Sequence, residues 1–257
     1  MKLGFVTYQI GKDWDIPTML DMCHKTGFTG VELRTTHAHG VETDLSPTQR
    51  KQVKQQFADG HVDIVGLGTA FEYHAVDPDE VRRNIEGTIE YAGLAADLGC
   101  TGIKVRPNGL QTDQGIPREK TLEQIGHAVR ECAEAAAGLG VQIRVEVHGR
   151  DTQDPKNIRT IMDHADHPNA YVCWNSNFGE VVDGSIKENF DLLKHKIALV
   201  HITEIYKSEY PWRDLFRMLH DIGYEGYTLA EVADSPEPER FMGYYKALWE
   251  AYQSRRI

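Results

Sequence analysis

The sequence predicts a single parallel (β/α)₈ barrel over residues 1–257. Three observations lead to this fold class. A helix–glycine–strand phrase recurs along the chain, about eight short apolar strands alternate with helices, and no glycine-rich phosphate loop follows the first strand. The length also suits an α/β barrel of one domain.

The recurring phrase places a glycine between a helix and the next strand. It reads TGFTGVELR, LGCTGIKVR, LGVQIRVEV and IGYEGYTLAEV. Glycine can end a helix in the left-handed conformation without a Cβ penalty. We therefore expect helix ends at Gly27, Gly99, Gly140 and Gly223, and strand starts at Gly30, Gly102 and Gly226. Repeated units of this kind indicate parallel strands joined by helical crossovers.

Counting apolar runs predicts eight strands, at 3–8, 29–34, 62–68, 101–106, 141–148, 170–175, 197–203 and 227–232. Predicted helices between them include 47–59, 78–98 and 118–139. Ser46-Pro47 and Asp77-Pro78 each combine a capping residue with a proline in the first turn. The competing arrangement is an open doubly wound sheet, which is disfavoured because TYQIGKDWD replaces the glycine fingerprint after the first strand.

Composition limits the partners and the compartment. The formal net charge of −11 disfavours nucleic acid, because carboxylates repel phosphates. No apolar stretch reaches the roughly 20 residues of a membrane span, and MKLGFVTYQI alternates like a strand rather than a secretory signal. The cysteines are far apart and form no CxxC pair, so we expect reduced, packed thiols in a cytoplasmic protein: Cys23, Cys100, Cys132 and Cys173.

Charged residues interrupt strands that should be apolar in a parallel sheet. Lys104 and Arg106 share one strand face, and Arg144, Glu146 and His148 share another, opposite Val145 and Val147. In a barrel the aliphatic face would meet the helices and the charged face would point inside. Glu32 and Arg34 follow the same rule, and a buried ion-pair network is the simpler interpretation for Glu32 and Arg144.

His201 on the seventh predicted strand and Glu231 on the eighth also interrupt apolar runs. With Glu146 they fall at predicted carboxyl ends of strands, where barrel enzymes place their catalytic groups. Two carboxylates and an imidazole suit a divalent metal ion. A register-setting ion-pair network is again the alternative.

The strand ends resemble the xylose-isomerase-like barrels, which include sugar-phosphate isomerases, ketose 3-epimerases and inosose-processing enzymes. The resemblance rests on LGFVTY, GVELR, VEVHG, VCWNSN, LVHITE and LAEV, in this order along nearly the whole chain. It implies metal ligands at Glu146, Asn175, His201 and Glu231. It also implies that Glu146 and Glu231 form the acid/base pair.

Asn175 departs from the family pattern, which has an aspartate at this position. An amide oxygen can bind a hard cation but brings no charge. We therefore expect weaker metal retention and a more electron-withdrawing ion. A degenerate, metal-free site is the alternative.

Further candidates lie around the predicted barrel mouth. His148, two residues beyond Glu146, is expected to bind a substrate hydroxyl, with a supporting or packing role as the alternative. The loop after strand two carries His37 and His39, which suggest hydroxyl donors, a second metal site or a merely solvated loop. The remaining substrate-binding candidates are Glu72, Arg106 and Asn177, with Tyr73 and His74 as further rim residues; Arg106 would bind an anion or pair with a rim acid.

The resulting hypothesis is a metal-dependent isomerase or epimerase acting on a small ketose or keto-sugar through a metal-stabilised enediolate. A lyase or hydratase (dehydratase) acting on a 3-keto-sugar or inosose is the alternative, and a metal-free sugar-binding pseudo-enzyme is the third. An abasic-site nuclease is disfavoured because Phe178 stands where such enzymes place a histidine.

The mixed oxygen and nitrogen ligand set favours Mn²⁺, with Mg²⁺, Co²⁺ and Zn²⁺ as alternatives. The expected partner is a small sugar or sugar derivative. A homo-oligomer is also considered, because an apolar interface or ordinary helix packing would each explain the aromatic residues Trp212, Phe216, Tyr244 and Tyr245.

Overall fold

Eight parallel strands close into a barrel in chain order in the computed structural model, which describes residues 1–254. The predicted fold class is therefore confirmed, while the predicted domain end at residue 257 lies outside the described residues. The strands are β1 Lys2–Val6, β2 Gly30–Arg34, β3 Asp63–Glu72, β4 Gly102–Arg106, β5 Gln142–Glu146, β6 Ala170–Asn175, β7 Ile197–Ile202 and β8 Tyr227–Ala230.

Within the described residues, eight α-helices surround the barrel: α1 Ile16–Thr26, α2 Pro47–Asp59, α3 Pro78–Leu98, α4 Arg118–Ala137, α5 Pro155–Ala165, α6 Lys187–Leu193, α7 Trp212–Asp221 and α8 Pro238–Gln253. The predicted bounds of α2 and α3 are confirmed. Ser46 and Gln49 form a reciprocal capping box at α2, and the Asp77 side chain accepts from the Asp79 amide at α3. Local chemistry therefore sets where these two helices begin.

The glycines of the recurring helix–glycine–strand phrase predicted two of four helix ends correctly. Gly27 and Gly99 cap α1 and α3 with φ angles of 73° and 79°. Gly140 and Gly223 also have positive φ, but α4 ends at Ala137 and α7 ends at Asp221. Each of these helices is followed by a short turn before the left-handed residue, so the predicted ends were too late.

Several predicted strand ends were also wrong. β3 continues to Glu72, which is therefore a strand residue rather than part of a loop. β5 stops at Glu146 and β8 at Ala230, so His148 and Glu231 lie just beyond the ladder. Tyr73 is not a rim residue, because its side chain is fully buried and its hydroxyl meets that of Thr88 at 2.7 Å.

The strands separate an outer apolar core from a charged barrel interior. Val145 and Val147 are fully buried in the apolar cluster that includes residues of the surrounding helices. On the alternate positions, Lys104, Arg144 and Glu146 are buried as well. The charged groups must therefore neutralise one another inside the barrel or find a further counter-ion.

The structure places the cysteines and the aromatic residues of the C-terminal helices. All four cysteines are buried and free. Within residues 1–254, no helix combines the length and apolarity of a bilayer span. Trp212, Phe216 and Tyr245 are buried against the core, whereas Tyr244 is exposed. Packing within the chain thus accounts for three of the four aromatic residues.

A buried polar chain anchors the loop that follows β6. Trp174 Nε1 donates to the Tyr210 hydroxyl at 3.1 Å, and that hydroxyl donates to Glu180 Oε2 at 2.8 Å. Glu180 Oε1 accepts from the Asn177 backbone amide at 3.2 Å. Burial raises the pKa of the Glu180 carboxyl well above its ordinary value, against the hydrogen bonds from Tyr210 and Asn177. The folded protein therefore favours a protonated Glu180.

We predict that Glu180→Gln becomes increasingly stable relative to the parent protein as pH rises. A raised folded-state pKa gives stability that is complete below the unfolded pKa and is lost as pH rises through the folded value. Glutamine cannot ionise, so the gap in unfolding free energy should widen by about 1 kcal/mol or more between roughly pH 5 and pH 8, since one pKa unit corresponds to about 1.4 kcal/mol. Urea unfolding at both pH values measures this difference in unfolding free energy, and Glu119→Gln, at an exposed position, is the control. Parallel stability curves for parent and variant would contradict the assignment.

Candidate metal centre

Three of the four predicted ligands converge at the carboxyl-terminal mouth of the barrel. Glu146 ends β5, His201 lies on β7, and Glu231 follows β8. Each offers a ligand atom, and these atoms all lie within 4.8 Å of one another. Asn175, which ends β6, contacts two of the three. Parallel strands bring these residues together because all their carboxyl ends meet at the same rim.

Glu146 is held by a different group at each oxygen. Oε2 lies 2.9 Å from the buried Nζ of Lys104, and Oε1 accepts from Asn175 Nδ2 at 3.1 Å. Burial alone would raise the pKa of Glu146, but the charges of Lys104 and His201 outweigh it and hold that pKa well below its ordinary value. Glu146 is therefore ionised at neutral pH, and its position is fixed.

Asn175 bridges the two glutamates. Its Nδ2 also donates to Glu231 Oε2, at 3.5 Å, while its Oδ1 is buried without a hydrogen-bond partner among residues 1–254. An aspartate here would place a third carboxylate against two others. The amide instead donates to both, which reduces the negative charge of the cluster by one.

His201 is fully buried between carboxylates. Its Nδ1 lies 3.3 Å from Glu146 Oε1 and 3.6 Å from Glu231 Oε2, and its Nε2 lies 3.3 Å from Glu32 Oε1. Burial opposes protonation of the ring, but its neighbours raise its pKa well above the ordinary value. Cys173 also contacts the ring, yet burial raises the pKa of that thiol to about 11, so the carboxylates are what favour the imidazolium.

Glu32 occupies the barrel interior behind His201 rather than the mouth. It is fully buried, and its Oε1 would lie 2.7 Å from a Cβ added at Gly68. Only a residue without a side chain leaves room for the carboxylate at that position. A carboxylate on the far nitrogen of a metal-binding histidine fixes the ring orientation and increases its basicity.

Glu231 is the most open of the cluster. Its backbone amide donates to Ile202 O at 2.9 Å, which holds the loop against β7, and its side chain is 17% exposed against 2% for Glu146. Of the two carboxylates, Glu231 is therefore the one that a molecule in the barrel mouth reaches more easily.

The donor set fits a divalent cation. Asn175 Oδ1 and both His201 nitrogens are buried without hydrogen-bond geometry to any described group, although carboxylates lie within ion-pair range of the ring. Such atoms are costly to bury unless something satisfies them. An ion held by Glu146, His201 and Glu231 would bind Nδ1 of the imidazole, with Glu32 as the outer partner of Nε2. Asn175 would join it through Oδ1 after its amide turned over, because Nδ2 now faces both carboxylates.

The predicted anion-binding residue Arg106 is paired with a rim acid. Glu72 Oε1 accepts from Arg106 Nη2 and from Asn108 Nδ2, the latter at 2.8 Å. Asn108 Oδ1 in turn lies 3.1 Å from His148 Nδ1. Burial lowers the pKa of His148, so the ring is neutral at physiological pH. These four residues form one connected network beside the metal centre, with His148 positioned by Asn108.

The other predicted rim residues differ in what they contact. His39 is buried, and its ring nitrogens are both used within its own loop, by Arg34 O at 2.8 Å and the Val41 amide at 3.0 Å. Asn177 donates from Nδ2 to Val147 O at 2.6 Å. His37 is half-buried, with Nδ1 lacking a hydrogen-bond partner among the described residues. Of the two histidines, only His37 has a ring nitrogen without a hydrogen-bond partner within residues 1–254.

Two features of the site were missing from the sequence analysis. Lys104 was recognised as pointing inward but was given no role, although it contacts Glu146. Asn108 was not singled out at all, although it joins Glu72 to His148 and has a positive φ of 59°. Its position after Arg106-Pro107, directly behind a predicted strand, was the available signal, since asparagine tolerates such turns.

A protein-family model described as a xylose isomerase-like TIM barrel matches residues 20–245. The chain belongs to the xylose isomerase-like TIM barrel family. The resemblance inferred from the strand ends is therefore confirmed. No curated protein sequence gives a significant match.

Solved structures share the fold at low sequence identity. D-psicose 3-epimerase with D-tagatose, from Clostridium cellulolyticum H10, has a TM-score of 0.80 and 16% identity, covering 98% of each chain. 3-Keto-D-glucoside 4-epimerase, YcjR, from E. coli has a TM-score of 0.80 and 14% identity, covering 98% of this chain and 99% of that one. The IOLI protein with a bound zinc atom has a TM-score of 0.80 and 19% identity, covering 100% and 99%. These likenesses establish the architecture.

We predict that Glu32→Gln weakens Mn²⁺ binding. Loss of the carboxylate behind a metal-binding histidine typically costs about 10–100-fold in affinity. Calorimetric titration at about pH 8, where protons compete less for the imidazole, measures the change. Glu180→Gln is the matched control, because it makes the same change from glutamate to glutamine at a buried position that does not contact His201. Equal affinities in Glu32→Gln and the parent protein would show that Glu32 has only a packing role.

Proposed function

We propose that the protein is a divalent-metal-dependent isomerase or epimerase of a small ketose or keto-sugar, with Glu146 and Glu231 as the proton-transfer pair. One observation carries this proposal. Two carboxylates and an imidazole, from strands or strand ends distant in sequence, come within 4.8 Å of one another at the barrel mouth. This is the arrangement that both metal binding and carbon acid chemistry require.

Glu146, Asn175, His201 and Glu231 would hold the ion, and Mn²⁺ suits their mixture of oxygen and nitrogen donors. The ion would supply a Lewis acid next to the substrate carbonyl and an adjacent hydroxyl. Lys104 and Glu32 act on the ligands themselves: the first fixes one oxygen of Glu146, and the second orients His201.

The two glutamates suit proton transfer at carbon. A general base must be ionised, and the low pKa of Glu146 keeps it so at neutral pH. Glu231 comes from β8, three strands further around the barrel, and is the more open group. Removal by one carboxylate and return by the other inverts a carbon centre, whereas transfer between neighbouring carbons gives isomerisation. His148 and the free nitrogen of His37 would contact substrate hydroxyls.

The solved structures support this class of reaction. Two of the three neighbours described above are named as epimerases of a ketose or a 3-keto-glucoside, and the third was determined with zinc. The expected partner is accordingly a small sugar, and the cytoplasmic location remains a prediction.

Elimination or hydration on a 3-keto-sugar is the second candidate function. The observation that favours it is the low negative charge of the cluster, since Asn175 replaces a carboxylate and Lys104 adds a cation beside Glu146. A less neutralised ion withdraws electrons more strongly, which assists loss of a β-substituent.

We predict that Mn²⁺-loaded protein exchanges deuterium from D₂O into the carbon next to the carbonyl of a ketose, without loss of oxygen. NMR of D-fructose, D-psicose, D-tagatose and 3-keto-D-glucose incubations detects both the exchange and the products. Glu231→Gln should lower exchange by about 10²-fold or more, the usual contribution of a positioned acid or base. The exposed Glu209→Gln should leave it unchanged, and metal analysis of each variant separates loss of the ion from loss of the base.

Exchange that survives both removal of metal and Glu231→Gln would overturn the proposed reaction. An unsaturated product, or its hydration, would favour the second candidate function instead.

A further inference from the structure

Arg34 lies on the same inward face of β2 as Glu32 and is one inward-facing position nearer to the barrel mouth. It ends β2, two residues after Glu32 and therefore on the same strand face. Glu32 Oε1 lies 3.3 Å from His201 Nε2. Residues two apart on a strand are separated by about 6–7 Å, so the Arg34 side chain starts above Glu32 at the carboxyl-terminal rim.

The Arg34 guanidinium is held in place before any ligand arrives. Its backbone amide donates to the buried Thr7 Oγ1 at 2.8 Å. Its Cζ lies 4.7 Å from the centre of the Tyr8 ring, in a cation–π contact. A guanidinium stacked on an aromatic face keeps the hydrogen atoms at its edge available for a planar anion. Tyr8 is itself 37% exposed, so the stack borders the open mouth.

Arg34 differs from the other cations of the site in lacking an acid. Lys104 Nζ contacts Glu146 at 2.9 Å, and Arg106 is paired with Glu72. For the Arg34 guanidinium, by contrast, no carboxylate of residues 1–254 lies within ion-pair distance. Its positive charge is therefore available to an anion that enters the mouth.

The charges around the metal centre agree with an anionic ligand. Glu146 and Glu231 oppose Lys104 and Arg34 at the mouth, while Glu32 interacts with Arg144 deeper in the barrel. The charges of these groups therefore balance without a metal. A divalent ion would add an excess of positive charge, which an anionic ligand would reduce.

His37 adds a neutral polar group beside Arg34. Burial lowers its pKa, and the nearby Arg34 charge lowers it further. The ring is therefore uncharged at physiological pH and can hydrogen-bond without adding a second positive charge.

We propose that Arg34 binds the carboxylate of an acidic keto-sugar, such as a keto-aldonate, in the barrel mouth. The inference rests on the proposed function and narrows its substrate class. A single guanidinium fork matches a planar monoanion in bidentate geometry.

Calorimetric titration of the Mn²⁺-loaded protein tests the assignment through binding rather than turnover. The probes are D-fructose, 5-keto-D-gluconate and D-fructose 6-phosphate, which carry no anion, a carboxylate and a phosphate. We expect 5-keto-D-gluconate to bind about 10–100-fold more tightly than D-fructose, since hydrogen bonds to a charged group contribute about 1.5–3 kcal/mol.

Arg34→Gln should remove the preference for 5-keto-D-gluconate and change D-fructose affinity by less than about twofold. Arg34→Lys should retain part of the preference, because lysine keeps the positive charge but lacks the planar guanidinium. Arg150→Gln is the matched control, because Arg150 is a 94% exposed arginine on the loop after β5. Thermal unfolding of each variant checks that the barrel is intact.

Three results would overturn the assignment: no probe bound, equal loss of D-fructose and 5-keto-D-gluconate binding in Arg34→Gln, or tighter binding of D-fructose 6-phosphate than of the carboxylate. Failure of the proposed reaction looks different. In that case 5-keto-D-gluconate binds in an Arg34-dependent way but takes up no deuterium.

Discussion

Burial of acidic side chains inside a closed barrel is the constraint on which the rest of the site depends. Glu32 and Glu146 are almost fully removed from water, and an isolated carboxylate in such a place is strongly disfavoured. Lys104 compensates one oxygen of Glu146, and His201 lies within reach of both carboxylates. Asn175 adds two donor contacts but no charge. Its unsatisfied atoms mark the place where we propose that a further cation binds.

The closed parallel topology explains how much of this site was predictable. Alternation along β5 placed Glu146 inside and Val145 outside, and the rim of a barrel collects the ends of every strand. Glu146, His201 and Glu231 therefore had to approach one another once the chain formed eight strands in order. Small errors in strand ends did not matter, because Glu231 one residue beyond β8 still faces the same mouth.

The pairing of side chains was less predictable because it depends on register between strands far apart in sequence. Arg106 was an anion-binding candidate until the register of β3 and β4 placed Glu72 opposite it. His39 was a rim candidate until its own loop turned back and used both ring nitrogens. Arg34 became informative only when its neighbours were known, since the lack of an acid cannot be seen in a sequence.

Glu146, Asn175, His201 and Glu231 are proposed to hold one divalent ion. Anomalous scattering from a crystal of the Mn²⁺-treated protein tests it most directly. We expect a single strong peak at about 2–2.5 Å from donor atoms of these residues. A map with no peak between them, or with manganese bound only elsewhere on the surface, would contradict it.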